Sequence, residues 1–381
     1  MLYLGEFMKK ILVMSFGSDA GGIEKSLIEF LKFLISEGHD VSLYLWRKPG
    51  ILFEQIPKEV KIIKDKIAPG SLSDVIIEKN LIHIFWYMLL RIAQKLKYPT
   101  KAMKKLPNHY DIAISYCQNG YTPYYIIDKV SAEHKYMWYH HGSYEKSKKE
   151  KKIDEKYYLK YEKFITVSES SKSMLLTSFP SLRKTISVIN NLVDEESVKE
   201  KSNFEVNDIN ASECKIVTVG RVAPEKGQLF SLEIAKNLLD RGFNFSWYFI
   251  GDGPDMKACI DYVLNNGLKQ YCHFLGVKEN PYPYIKTADI YVQPSKVEAE
   301  SITIKEAKIL QKIIVASDIP AIKEVLEDGK FGCVVPRNAK LFADAIMRVF
   351  LDEELKLFYK KQLSQIASNN EESKNKIRDL L

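Results

Sequence analysis

Long apolar runs are missing from this chain of 381 residues. Nothing in it approaches the roughly 20 consecutive apolar residues that a membrane-spanning helix needs, which excludes a spanning protein. Cysteine is scarce. Cys117, Cys214, Cys259, Cys272 and Cys333 show no Cys-x-x-Cys and no regular spacing, so free thiols in a reducing compartment fit better than a disulfide framework or a zinc site. No Gly-x-Gly-x-x-Gly occurs, which removes the fingerprint of an NAD-dependent oxidoreductase. No Asp-x-Asp occurs either, so the usual acidic clamp for a metal is absent. The formal charge of +7 is not laid out as a stripe beside a known reading element, which argues against nucleic acid.

What is present is globular. A hydrophobic content of 46% with 28% charge is enough to build cores, and the length suits two domains. The apolar run near the start carries Lys9-Lys10 and lacks a small-residue cleavage site. It feeds Gly17 and reads as a first strand, not a secretory signal, so the expected location is cytoplasmic.

Apolar runs and helical patterns alternate along the chain. Strands are predicted at Lys10–Ser15, Val41–Trp46, Val60–Ile63, Asp111–Ser115, Lys135–Tyr139 and Lys163–Val167. After a polar interval they resume at Ile216–Val219, Phe245–Ile250, Cys272–Leu275, Ile290–Gln293, Ile313–Ala316 and Cys333–Val335. Helices are predicted at Ile23–Gly38 and Gln228–Asp240, among others. Strands alternating with helices imply an α/β fold with parallel sheets joined by right-handed crossovers. The expected division is residues 1–194, a linker at 195–213, residues 214–351, and a tail at 352–381 that returns to the first domain. Ser368–Lys376 is polar enough to predict disorder.

Two constellations carry chemistry. Glu298 and Glu306 are separated by seven residues, one in the loop after the strand Asp289–Ser295 and one about a turn inside a helix. A strand opening into a helix N-terminus is an anion site, and flanking carboxylates can accept hydrogen bonds from sugar hydroxyls. Arg221 and Lys226 follow the strand ending in Val219-Gly220, where open parallel sheets bind ligands. Two cations there suit a diphosphate whose negative charge grows as it leaves.

Together these residues resemble glycosyltransferase family 4, retaining enzymes of the GT-B fold: two Rossmann-like, doubly wound parallel-sheet domains facing an interdomain cleft. The likeness extends to Gly21-Gly22-Ile-Glu24-Lys25-Ser26, Trp138-Tyr-His140-His141-Gly142, Phe164–Glu169, Ser187–Asp194 and Phe249–Pro254. It implies transfer of a hexose-type sugar from a nucleotide-sugar donor, UDP-linked on base rates, to a glycan or lipid-linked glycan in cell-surface polysaccharide synthesis. Arg221 and Lys226 would hold the diphosphate, Glu298 the sugar hydroxyls and Glu306 the ribose. Backbone at Gly220, Ser301, Ile302 and Thr303 would cap the phosphates, and Gly276-Val277 would read the base. Gly21 and Gly22 would admit acceptor or phosphate close to the backbone. One histidine would hydrogen-bond the sugar: counting from Trp138 selects His140, and counting back from Gly142 selects His141. No cofactor and no metal are implied. The family's Glu-Gly-Phe-Gly is here Glu298-Ala-Glu300-Ser301, and the added carboxylate is compatible with a diphosphate only if it points away.

Leu81–Leu106 mixes aromatic, apolar and basic residues, which suits an interfacial helix on anionic lipid at the inner face of the membrane. The same stretch also reads as a core helix followed by a solvated basic loop. Two other functions remain open from sequence: a non-catalytic nucleotide-sugar-binding protein and a nucleotide-sugar epimerase.

Overall fold

The computed structural model describes residues 8–17, 21–47, 50–64, 67, 81–95, 99–209, 214–366 and 370–381. Residues 18–20 of the glycine loop, 96–98 of the basic stretch, 210–213 of the expected linker and 367–369 of the tail lie outside the described residues.

The first sheet holds β1 (Lys10–Ser15), β2 (Asp40–Leu45), β3 (Lys61–Ile62), β4 (His109–Ser115), β5 (Ser131–Tyr139), β6 (Lys163–Thr166) and β7 (Ile186–Val188). The second holds β8 (Cys214–Val219), β9 (Phe245–Ile250), β10 (Cys272–Phe274), β11 (Ile290–Gln293), β12 (Ile313–Ser317) and β13 (Cys333–Val335). Their spatial orders are 3-2-1-4-5-6-7 and 10-9-8-11-12-13. The pairings are parallel, with Ile11 opposite Ile112 and Ile290 opposite Ile216 in the central ladders. Ile11, Leu12, Val13 and Met14 have no exposed surface, because helices cover both faces of the sheet and leave no side for polar residues to alternate onto.

Strand order reverses between β1 and β4 in one sheet and between β8 and β11 in the other. At such a reversal the loops that follow the two strands diverge to opposite faces and open a crevice, the place where doubly wound sheets take ligands.

One expectation fails, and the segment assigned to the linker carries structure of its own: Glu195–Lys201 is helical. Asp194 caps it through Ser197 N–H, acids open it and lysines close it, and Val198 is buried beside Ile302. The tail predicted to be disordered forms the helix Asn370–Leu380. Lys374–Glu371 and Lys376–Glu372 pairs run along it, Ile377 enters the first domain's core, and Arg378 holds both oxygens of Glu37 at 2.9 Å. A largely polar sequence folds here because one buried apolar residue, one bidentate pair and the bonds of Asn370 to the Val193 backbone supply the anchor.

Candidate active site

The second domain's switch point is built by two loops. After β8 the chain turns through Gly220 and Arg221 to Gly227, which starts the helix Gln228–Asp240 with φ of 79°. A Cβ on Gly227 would also lie 2.4 Å from the Pro294 carbonyl oxygen, so glycine lets this turn press against the end of β11. After β11 the chain runs through Ser295 and Glu298 to Ser301, whose hydroxyl caps the helix Ile302–Ile309. The backbone groups of Ile302 and Thr303 lie in the first turn of that helix.

The turns meet at Lys226 and Glu298. Lys226 Nζ lies 2.8 Å from both carboxylate oxygens, and Glu298 also accepts from Ser295 Oγ at 2.7 Å and Gln293 Nε2 at 3.2 Å. The Glu298 side chain is nearly buried. Removing Lys226 would leave this nearly buried carboxylate to Ser295 and Gln293 alone. Arg221 is exposed and pairs with Glu225, whose carbonyl accepts from Lys296 N–H at 2.8 Å, so the cation stays beside the Glu298 loop. Gly220 donates its N–H to Ile250 O at 2.9 Å, and Gly276 accepts from Gly251 N–H at 2.8 Å. Val277 is partly exposed at the rim.

Glu306 lies a turn inside its helix and is almost wholly buried. Its Oε1 accepts from Lys25 Nζ at 2.6 Å, across the domain boundary, and from Tyr282 OH at 3.1 Å; its Oε2 has no partner among the described residues. Lys25 also lies over the Tyr282 ring, 5.0 Å from its centroid. Burial first, and then Glu306, raises the Tyr282 pKa, so the phenol stays a donor. A buried carboxylate oxygen left this way can accept a hydrogen bond from a hydroxyl group.

Glu300 points away from these loops. Its Oε2 accepts from Asn191 N–H at 2.8 Å and its other oxygen meets Lys305, which also donates to Asn191 O at 3.1 Å. Asn191 Oδ1 in turn accepts from Ser26 Oγ at 2.5 Å. Burial raises the Glu300 pKa, opposed by Lys305. The extra carboxylate therefore belongs to a seam between the domains.

The first domain approaches with Gly21, Gly22 and the two histidines. Gly21 caps the helix Gly22–Ser36, and a Cβ on Gly22 would lie 3.8 Å from Ile302. His140 is buried: its ring packs 4.8 Å from Tyr116, its backbone N–H donates to Gln118 Oε1 at 3.0 Å, and its Nε2 has no partner among the described residues. Burial pushes its pKa down to about 3, so it is a neutral imidazole. His141 is exposed and turned onto Ser143. Of the two, His140 is the one held inward. Next to them, a Cβ on Gly142 would fall 2.0 Å from the Glu298 carbonyl oxygen.

Lys226 and Glu298 therefore meet directly, Glu306 is reached from the opposite domain, and Arg221 stays at the rim. Sequence reading missed Lys25, Tyr282, Gln118, Gln293 and Ser295. A signal existed for Gln293, a polar residue closing an otherwise apolar strand; it and Ser295, two residues on, are both fully buried.

Residues 20–197 match the family model described as Glycosyltransferase Family 4, and residues 199–370 match Glycosyl transferases group 1. The chain belongs to glycosyltransferase family 4. Among curated proteins it is 31% identical over 145 residues to the alpha-D-kanosaminyltransferase of Streptomyces kanamyceticus, covering 37% of each chain. It is 27% identical over 160 residues to the N,N'-diacetylbacillosaminyl-diphospho-undecaprenol alpha-1,3-N-acetylgalactosaminyltransferase of Campylobacter jejuni, covering 42% of this chain and 41% of that one. The alignments thus span about two fifths of these relatives' own length. Solved structures match over nearly the whole chain. Anabaena HepE in complex with UDP and glucose superposes with a TM-score of 0.73 at 15% identity, covering 98% of this chain and 99% of that one. A glycosyltransferase from Rickettsia africae gives 0.68 at 17%, covering 98% of both. At that identity the likeness establishes the fold, which for this family 4 chain is GT-B.

Proposed function

We propose that this family 4 chain moves a hexose-type sugar from a UDP-linked donor to a glycan or lipid-linked glycan acceptor in cell-surface polysaccharide synthesis. Configuration is retained and no metal takes part. The observation that carries the reading is the Lys226–Glu298 pair at the second domain's switch point, with Glu306 and its unpartnered oxygen one helix turn beyond the same loop.

Arg221 and Lys226 supply the positive charge that stabilises a departing diphosphate, aided by first-turn amides at Ile302 and Thr303. Glu306 Oε2 accepts from the ribose, and Glu298, once the sugar enters, shares its carboxylate between Lys226 and a sugar hydroxyl. His140 is neutral at working pH and serves as a hydrogen-bonding group, not a proton source. With no covalent nucleophile assigned, front-face displacement assisted by the leaving phosphate is the preferred route to retention. That solved neighbours hold UDP favours a uridine donor, and the Campylobacter relative's diphospho-undecaprenol acceptor favours a lipid-linked one.

Peripheral attachment to anionic membrane belongs to the same proposal. On the helix Leu81–Lys95, Leu81, Ile82, Phe85, Met88, Leu89 and Ile92 recur at helical spacing and are all exposed, while Leu90 is buried. Trp86 donates to Ala102 O at 2.5 Å and ties the helix to the loop carrying exposed Lys101, Lys104 and Lys105. An apolar stripe beside cations is the composition of an interfacial helix.

A thermal-shift screen of nucleotide sugars, followed by product analysis with and without chelator, tests the function. A UDP-sugar is expected to raise the melting temperature by mass action and to yield a glycoside of unchanged anomeric configuration in EDTA. Binding without turnover on any acceptor pool would select a non-catalytic binder. Isomerised donor without acceptor would select an epimerase. Either outcome overturns the proposal.

A further inference from the structure

Two nitrogens are buried at the end of the first domain's sheet without a partner among the described residues: Nε2 of Gln118 and Nε2 of His140. Both residues are more than nine-tenths buried, at 9% and 8% exposure. The orientation of the Gln118 amide is not arbitrary. The His140 backbone N–H donates to Oε1 at 3.0 Å, and only the oxygen of a carboxamide accepts, so the NH2 group faces the other way. A buried donor with nothing to donate to keeps its desolvation cost uncompensated and calls for a partner.

Their place in the fold says which kind. Gln118 lies three residues beyond β4, the strand beside β1 where the order of the first sheet reverses. His140 directly follows β5. Gly120, two residues past Gln118, lies against Phe16 at the end of β1, a Cβ there falling 3.0 Å from the ring. Gly142, two residues past His140, touches the Glu298 carbonyl. The two nitrogens therefore sit on the first domain's side of the crevice whose other side carries Lys226 and Glu298.

We infer that Gln118 is a sugar-recognising residue: its NH2 group donates to a hydroxyl oxygen of the transferred hexose, and neutral His140 pairs through Nε2 with the same or the adjacent hydroxyl. A sugar hydroxyl both donates and accepts, so a fixed amide donor beside a neutral imidazole complements it. Both nitrogens are shut from solvent in this structure, so the sugar reaches them only after the groups that cover them move aside. The inference rests on the donor reading above and adds a residue and a contact to it.

The competing role for Gln118 is a structural one, holding the His140 backbone. Calorimetric titration with UDP, UDP-glucose, UDP-galactose and UDP-N-acetylglucosamine separates the two. In Gln118→Met, UDP alone is expected to bind within two-fold of wild type, while the tightest-binding UDP-sugar weakens about ten-fold, the scale of one lost hydrogen bond plus its stranded partner. Gln118→Glu keeps an acceptor for the His140 N–H and loses the NH2 donor, so it is expected to show the same selective loss. Wild-type affinity for the UDP-sugar in Gln118→Met, equal weakening of UDP and UDP-sugar, or recovery in Gln118→Glu would each overturn the assignment while leaving the donor reading intact. If no UDP species binds the wild-type protein, the donor reading falls, and this inference with it.

Discussion

Replacing Gly142 with alanine tests whether the two domains must meet closely at the proposed site. The residue is not among the glycines with positive φ, so its backbone accepts alanine and only space is at issue. The added methyl carbon would lie 2.0 Å from Glu298 O, 2.5 Å from Glu298 C and 3.0 Å from Val297 Cγ1. Even a favourable carbon–oxygen contact lies near 3.3 Å, so the surfaces must separate by roughly 1 Å. Two backbone atoms form the obstacle, and neither can rotate aside as a side-chain tip would. The displaced segment carries the carboxylate that Lys226 holds, and a 1 Å misplacement of reacting groups costs on the order of 100-fold in rate. That corresponds to about 2.7 kcal/mol of transition-state stabilisation. Steady-state kinetics with the preferred UDP-sugar should show this loss in kcat/KM. UDP affinity, which the proposal assigns to groups of the second domain, should stay within two-fold. Should Gly142→Ala keep its kcat/KM within two-fold of wild type, close approach of the His140 strand end to the Glu298 loop is irrelevant to the reaction.

His140 should leave a mark on acid stability. Its pKa falls from 6.5 unfolded to about 3 folded because burial disfavours the charged ring, so as pH drops the unfolded chain takes up the proton first. The stability it contributes at neutral pH is therefore lost from about pH 6.5 downward, until the folded value is reached. Urea unfolding should show wild type losing about 2 kcal/mol more than His140→Leu between pH 7 and pH 5, and equal losses would mean the ring is solvated. Ile82→Ser/Phe85→Ser/Leu89→Ser should abolish sedimentation with phosphatidylserine-containing vesicles and leave the melting temperature unchanged, because these side chains are exposed in the fold. Undiminished sedimentation would refute the attachment helix.

The elements of this protein were legible because each is encoded locally. Phe245–Ile250 and Gln228–Asp240 fall where apolar runs and helical spacing place them, and the polar turn residues between them mark their ends. The clustering of charge after β8 and β11 was legible too, since parallel strands deliver their following loops to one edge. Illegible were features resting on contacts distant in sequence. Asn370–Leu380 folds because Ile377 and Arg378 find Phe33 and Glu37 some 340 residues earlier. Lys25 reaches Glu306 across 281 positions, and Glu300 reaches Asn191 across 109. Local pattern thus determined the elements, the doubly wound sheets and the edge where charge collects. Only the tertiary packing, within the first domain for the inward histidine and between the domains for Glu300 and Glu306, decided where these groups ended, because those outcomes depend on desolvation and on distances that sequence spacing does not contain.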